Sequence, residues 1–112
     1  MLHSYEPGRA YSDRMQVEFE GEIFRWSARE QAWYFVALPQ DLSAEIREIP
    51  RPQRGFGSVR VEVRVGLSTW RTSIFPDSAQ GAYLLPLKRA VREAEGISDE
   101  GVVMVELQVL DA

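Results

Sequence analysis

Residues 81–109 limit the fold more than any other stretch of this chain. They read Gly-Ala-Tyr-Leu-Leu-Pro, a short helical pattern, Gly-Ile-Ser-Asp-Glu-Gly, then a run rich in valine. Tyr83, Leu84 and Leu85 favour a strand, because aromatic and branched side chains pack well on a pleated surface. Pro86 fits a first helical turn, where its missing N–H costs nothing. Leu87, Ala90, Val91 and Ala94 recur at helical spacing and predict one apolar stripe. Gly96 is placed to end the helix in a left-handed conformation, with Ile97 folding back on it. Gly101 then fits a tight turn before a strand at residues 102–109, in which Val103, Val105, Leu107 and Val109 share a face. The unit is strand, proline, short helix, glycine turn, strand.

Alternation with a period of two recurs upstream. In residues 15–26, Met15, Val17, Phe19, Gly21 and Ile23 alternate with Gln16, Glu18, Glu20 and Glu22, as in a half-buried strand. Phe24 and Trp26 break this register and suggest a bulge or twist. The three glutamates read as a solvated strand face rather than a metal site, since no second acidic cluster completes one. Residues 33–38 form a dense apolar strand in which Trp33 or Tyr34 could line a groove. Pro39 ends it, and Leu42, Glu45, Ile46 and Ile49 follow at helical spacing until Pro50-Arg51-Pro52. This Leu38-Pro39-helix unit echoes the Leu85-Pro86-helix unit and suggests two related halves closing one small barrel. Val59, Val61, Val63 and Val65 alternate with Arg60, Glu62 and Arg64, and a turn at residues 66–68 returns the chain as residues 69–75. Arg60, Glu62, Arg64 and Arg71 are then expected on one face as a solvated ladder of ion pairs.

The expected fold is therefore mostly β: one small barrel with two short helices, near Pro39 and Pro86. An α+β sandwich is the alternative. Residues 1–14, polar and carrying Gly8 and Pro7, are expected to be a flexible segment, with residues 15–112 one domain.

Composition excludes several functional classes. Cysteine is absent, which removes disulfide and thiolate chemistry. The single histidine, His3, sits in the polar leader, so no Ser-His-Asp constellation is expected, and zinc-type spacing is missing. No catalytic residue, metal or cofactor is assigned. An alternative enzyme, of hydrolase type, would use Arg71, Ser73 and Asp77. The formal charge of -4 argues against sequence-specific DNA binding as the main role. No apolar run reaches membrane-spanning length, and residues 1–14 lack the apolar centre of a secretory signal, so a cytoplasmic location is expected. A monomer is expected, with a homodimer as the alternative. Residues 51–58, with their Arg-Gly-Phe-Gly stretch, lack the spacing of a phosphate loop and read as a mobile surface loop.

The ordered segments Trp33-Tyr34-Phe35-Val36-Ala37-Leu38-Pro39, Gly55-Phe56-Gly57-Ser58-Val59-Arg60-Val61, Trp70-Arg71-Thr72-Ser73-Ile74-Phe75-Pro76 and Gly81-Ala82-Tyr83-Leu84-Leu85-Pro86-Leu87-Lys88 together resemble family nineteen-oh-five of the domains of unknown function. The resemblance covers residues 17–110. It implies a double-split β-barrel of about six to seven strands, commonly a stand-alone bacterial protein or a module beside another small domain. It implies no activity. A second resemblance, at residues 84–106, is to the swapped-hairpin module of AbrB-type regulators, which read DNA as dimers through a basic barrel surface. Here Glu93, Glu95, Asp99, Glu100 and Glu106 make the corresponding segment acidic.

The favoured functional reading is a binding or interaction module. Its expected site is a surface for a small anionic ligand centred on Arg71, with Trp33, Tyr83, Lys88 and Arg89 as neighbours, aided by the start of the second helix. A protein-interaction domain is the alternative.

Overall fold

The computed structural model describes residues 3–4, 16–28, 30–49, 57–98 and 100–110. Seven strands and two helices follow in the order β1 (His3–Ser4), β2 (Gln16–Ala28), β3 (Gln31–Ala37), α1 (Gln40–Arg47), β4 (Val59–Val65), β5 (Ser68–Asp77), β6 (Ala82–Pro86), α2 (Arg89–Glu95) and β7 (Gly101–Val109). Six of the strands close a barrel in the order β2-β3-β6-β5-β4-β7, with β7 returning to β2. Every pairing in that ring is antiparallel. Closure gives each of the six strands a partner on both sides and so limits the open sheet edges that would otherwise template aggregation. The two residues of β1 add to β2 in parallel, His3 opposite Val17. The remainder of residues 1–14, and residues 51–56 of the loop expected at 51–58, lie outside the described residues.

The barrel interior is the product of the period-two pattern. Val17, Phe19, Val36, Val59, Val61, Val63, Ile74, Leu85, Val105, Leu107 and Val109 all point inward and are buried. Each such side chain contributes roughly 1.5–3 kcal/mol over its exposed state. β2 is long because it serves two neighbours. Residues 16–23 pair with β7 and residues 23–28 with β3. Gly21 sits two residues before that change of partner, opposite Val103 of β7. A Cβ there would collide with Val36 Cγ1 and press on the Phe19 ring. The position admits only a bare backbone.

β3 and β6 run antiparallel side by side, so the helices that follow them leave from opposite ends of the barrel. α1 covers one end with Leu42, Ser43 and Ile46 buried. Ser43 was not foreseen as an inward residue. Its hydroxyl accepts the Tyr83 backbone N–H at 2.9 Å, while the Tyr83 carbonyl accepts the Leu38 N–H at 2.9 Å. At the opposite end, Leu87 N–H donates to the Tyr34 carbonyl at 2.8 Å. α2 is held to the β4–β5 hairpin through Glu95, which accepts the Leu67 N–H at 3.3 Å and the Ser68 hydroxyl at 2.6 Å.

Three sequence expectations need correction. Pro86 closes β6 instead of opening a helix, and α2 begins only at Arg89. Strand pairing with β3 runs through Pro86, so tertiary context overrides the helix-start preference. In α2 only Val91 is buried, while Ala90 and Ala94 face solvent, because seven residues make too short a helix to lay a full stripe on the barrel. Phe24 and Trp26 mark no bulge. The β2–β3 register is unbroken from Ile23 to Ala28, and both aromatics lie on the outer face. There Phe24 meets Phe35 with ring centroids 5.7 Å apart, and Trp26 pairs across from Trp33. Gly96 does end α2 as expected, at φ 63, with Ile97 N–H returning to the Arg92 carbonyl at 2.9 Å.

Two substitutions test this architecture. Gly21→Ala should destabilise the chain by about 1–3 kcal/mol, since the added methyl overpacks a closed site. Ser43→Ala should cost about 1–3 kcal/mol by leaving the buried Tyr83 N–H without its acceptor. Urea unfolding of each variant measures both, and a loss under about 0.5 kcal/mol in either would contradict the packing or the hydrogen bond described.

Candidate functional site

The groove at the α2 end follows from strand lengths. β6 has five residues, but its neighbours β3 and β5 have seven and ten. β6 pairs with β5 only through residues 82–84 and with β3 only through residues 84–86. Beyond Pro86, β3 and β5 continue without a strand between them, and the split is filled by Leu87, Lys88 and the start of α2. Carrying the β3 register onward places Leu87 opposite Tyr34 and Lys88 opposite Trp33, whereas pairing with β5 has already ended at Leu84. The Leu87–Tyr34 hydrogen bond continues the β3 register.

The result is an open groove of about 450 Å³ whose walls include Trp33, Tyr34, Trp70, Arg71, Lys88 and Arg92, with Arg89 at its edge. This volume falls within the usual range for small-ligand sites. Trp33 and Arg71 project from the outer face, while Tyr34 and Trp70 pack partly against the core. Four of the five residues singled out from sequence, Trp33, Arg71, Lys88 and Arg89, line this one groove. Tyr83 does not. It is 1 % exposed in the core at the α1 end, with the Arg47 guanidinium 5.8 Å from its ring centroid. Its inward parity in β6 puts it beside Leu85, on the opposite face from Leu84.

The cations of the groove are held differently. Arg92 is the most fixed. Its guanidinium carbon lies 3.8 Å from the Tyr34 ring centroid and its Nε donates to the Leu87 carbonyl at 3.2 Å. Arg71 donates through Nε to Glu62 at 3.1 Å, across the β4–β5 pair, and its side chain is otherwise largely exposed. Arg89 donates through Nε to Glu93 at 2.8 Å. That hydrogen bond, and then the Glu93 charge, raises the Arg89 guanidinium above its ordinary value. Lys88, exposed at the helix start, makes no ion pair among the described residues. Among the described residues, no carboxylate lines the groove itself. The expected contribution from the start of α2 is set aside, because a seven-residue helix concentrates little dipole at its first turn.

Arg92 and Trp70 were missed as site residues. Arg92 was recognisable only as lying off the apolar stripe, and nothing local reveals that it folds back over Tyr34. Trp70 alternates with Arg71 along β5, and alternation alone does not tell that it borders a groove.

The remaining candidates do not converge. Arg71, Ser73 and Asp77 share the outward parity of β5, but six residues of strand separate Arg71 from Asp77, about 20 Å. The expected ladder on β4 and β5 is present: Glu62 stands across from Arg71, and Arg64 approaches Glu106 at 4.0 Å. Among the described residues, no group of three His, Cys, Asp or Glu side chains could hold a metal ion, and no helix is long and apolar enough to cross a membrane.

The geometry defines a class: a closed, six-stranded antiparallel β-barrel domain, split beside β6, with a helix at each end and a cationic, aromatic groove at one of them. Residues 19–107 match the family described as Domain of unknown function (DUF1905), and the chain belongs to that family. The match begins at Phe19 in β2 and ends at Leu107 in β7, the two strands whose pairing closes the ring. No curated protein matches the chain.

The Arg71–Glu62 contact is an exposed cross-strand pair, so Arg71→Ala should lower stability by no more than about 1 kcal/mol. Thermal melts of the variant check this. A larger loss would mean that Arg71 is part of the framework and is unsuitable as a probe of binding.

Proposed function

We propose that this protein is a binding module whose groove beside β6 receives a small anionic ligand. One observation carries the reading: the groove gathers Arg71, Lys88, Arg89 and Arg92 with no lining carboxylate among the described residues, in a chain whose formal charge is -4. Like charges gathered on one wall of an acidic protein repel one another, and an anion relieves that repulsion. Arg92 offers a guanidinium immobilised on Tyr34, and Lys88 a mobile ammonium. Rigid donors of this kind give directional hydrogen bonds to a carboxylate or phosphate.

A protein-interaction role is the second reading, favoured by the exposed outer-face pair Trp26 and Trp33, which are 56 % and 46 % exposed. Aromatic residues of this kind are common anchors in interfaces. The enzyme alternative through Arg71, Ser73 and Asp77 has no such support, since those side chains are spread along one strand. The regulator alternative draws on a cluster too small to track a DNA backbone.

Titration of the full chain with inorganic phosphate, followed by amide and indole NMR shifts, tests the main reading. Shifts should concentrate on Trp33, Arg71, Lys88 and Arg89. The double variant Arg71→Ala/Lys88→Ala should weaken binding by at least about tenfold, as expected for loss of charged donors. Shifts centred elsewhere, or an affinity unchanged in the double variant, would remove the groove from consideration.

A further inference from the structure

We infer that the groove's ligand is a nucleoside phosphate, its base stacked on Trp33 and its phosphate held between Lys88 and Arg71. This rests on the anion-binding reading and adds the chemical class.

Charge is the first ground. Arg71, Lys88, Arg89 and Arg92 supply four positive charges at the groove. Glu62 and Glu93, paired to Arg71 and Arg89, cancel two of them. Four less two leaves two, which matches a phosphate monoester at neutral pH (about −1.5 to −2) better than a single carboxylate. Arg71 and Arg89 each engage their glutamate through Nε. A phosphate would meet the outer nitrogens of the Arg71 fork.

Trp33 is the second ground. It is 46 % exposed on the groove wall, and among the described residues its indole has no ring or hydrogen-bond partner. A half-exposed indole beside cations offers a flat face to a flat aromatic ring.

Spacing is the third ground. The β3 register, continued by the Leu87–Tyr34 hydrogen bond, sets Lys88 beside Trp33, and Arg71 lines the same groove from β5, across the split. The backbones that carry Trp33 and Arg71 stand on either side of the chain that carries Lys88, two strand spacings or more apart, about 10 Å at the least. A base, a sugar and one phosphate span that interval. A polynucleotide fits less well, because Glu62 follows Arg71 in the same row and interrupts the cationic track.

Calorimetric titration of the full chain with adenosine 5′-monophosphate, ribose 5-phosphate, adenosine and a short oligoadenylate separates the possibilities. Adenosine monophosphate should bind at least about tenfold tighter than ribose 5-phosphate, the gain expected from one stacked base. Trp33→Leu should abolish that advantage while ribose 5-phosphate still binds, and an unchanged thermal melt shows that the variant is folded. Arg71→Ala and Lys88→Ala should weaken both phosphates alike. Equal binding of the two phosphates, insensitive to Trp33→Leu, would overturn the nucleoside assignment while keeping the anion groove. Failure of both phosphates to bind, or adenosine binding as well as its monophosphate, would overturn the anion groove as well. Oligoadenylate binding far tighter than the monophosphate, with a steep salt dependence, would replace the small ligand with a single-stranded nucleic acid.

Discussion

Two backbone hydrogen bonds hold this barrel to its shape. Leu38 N–H reaches the Tyr83 carbonyl, and Leu87 N–H reaches the Tyr34 carbonyl. Each extends the short β3–β6 pairing at one end, where a strand is about to give way to a helix. The tyrosines are equivalent in a second way. Arg47 of α1 lies over Tyr83, and Arg92 of α2 lies over Tyr34. Each half of the molecule therefore finishes the other's strand and covers the other's ring. Neither half could bury its apolar face alone, and the reciprocal contacts fix where both helices sit.

The same short pairing creates the groove. A longer β6 would fill the gap between β3 and β5 with paired backbone. Because it stops at Pro86, the next residues form a wedge, and the wedge carries Lys88 to the space between Trp33 and Arg71. Glycine positions serve the same economy of space. Gly66 adopts φ 58 in the β4–β5 turn, and a side chain there would strike Glu95, the residue that ties α2 to that hairpin. The helix that borders the groove is thus anchored at its far end, leaving Lys88 and Arg89 exposed at its near end.

The apparent repeat in the sequence and the repeat in space differ by two residues. Leu-Pro at positions 38–39 and at 85–86 looks equivalent when read as text. In the fold, Leu38 corresponds to Leu87, since these are the two residues that make the reciprocal bonds. Pro39 directly precedes α1, whereas Pro86 still belongs to β6. A proline that lacks only an unneeded N–H fits both places, so its chemistry could not distinguish them. The burial of Tyr83 was hidden for a similar reason. Its phenol suits a surface wall or a core, and only the inward parity of β6 decides between them.

Strand existence, facing and the glycine stops were legible in this sequence because they are local. Period-two alternation in residues 59–65 can bury only one set of side chains, and Gly96 could end α2 whatever lay beyond it. Those features determined a mostly β barrel with two short helices. Strand lengths relative to their neighbours, and hence the split beside β6, were settled only by the closed ring. So was the meeting of Trp33, Arg71, Lys88 and Arg92, which lie on three separate stretches of chain. Their proximity depends on register across two strand pairs, and register arises from the packing of the whole interior.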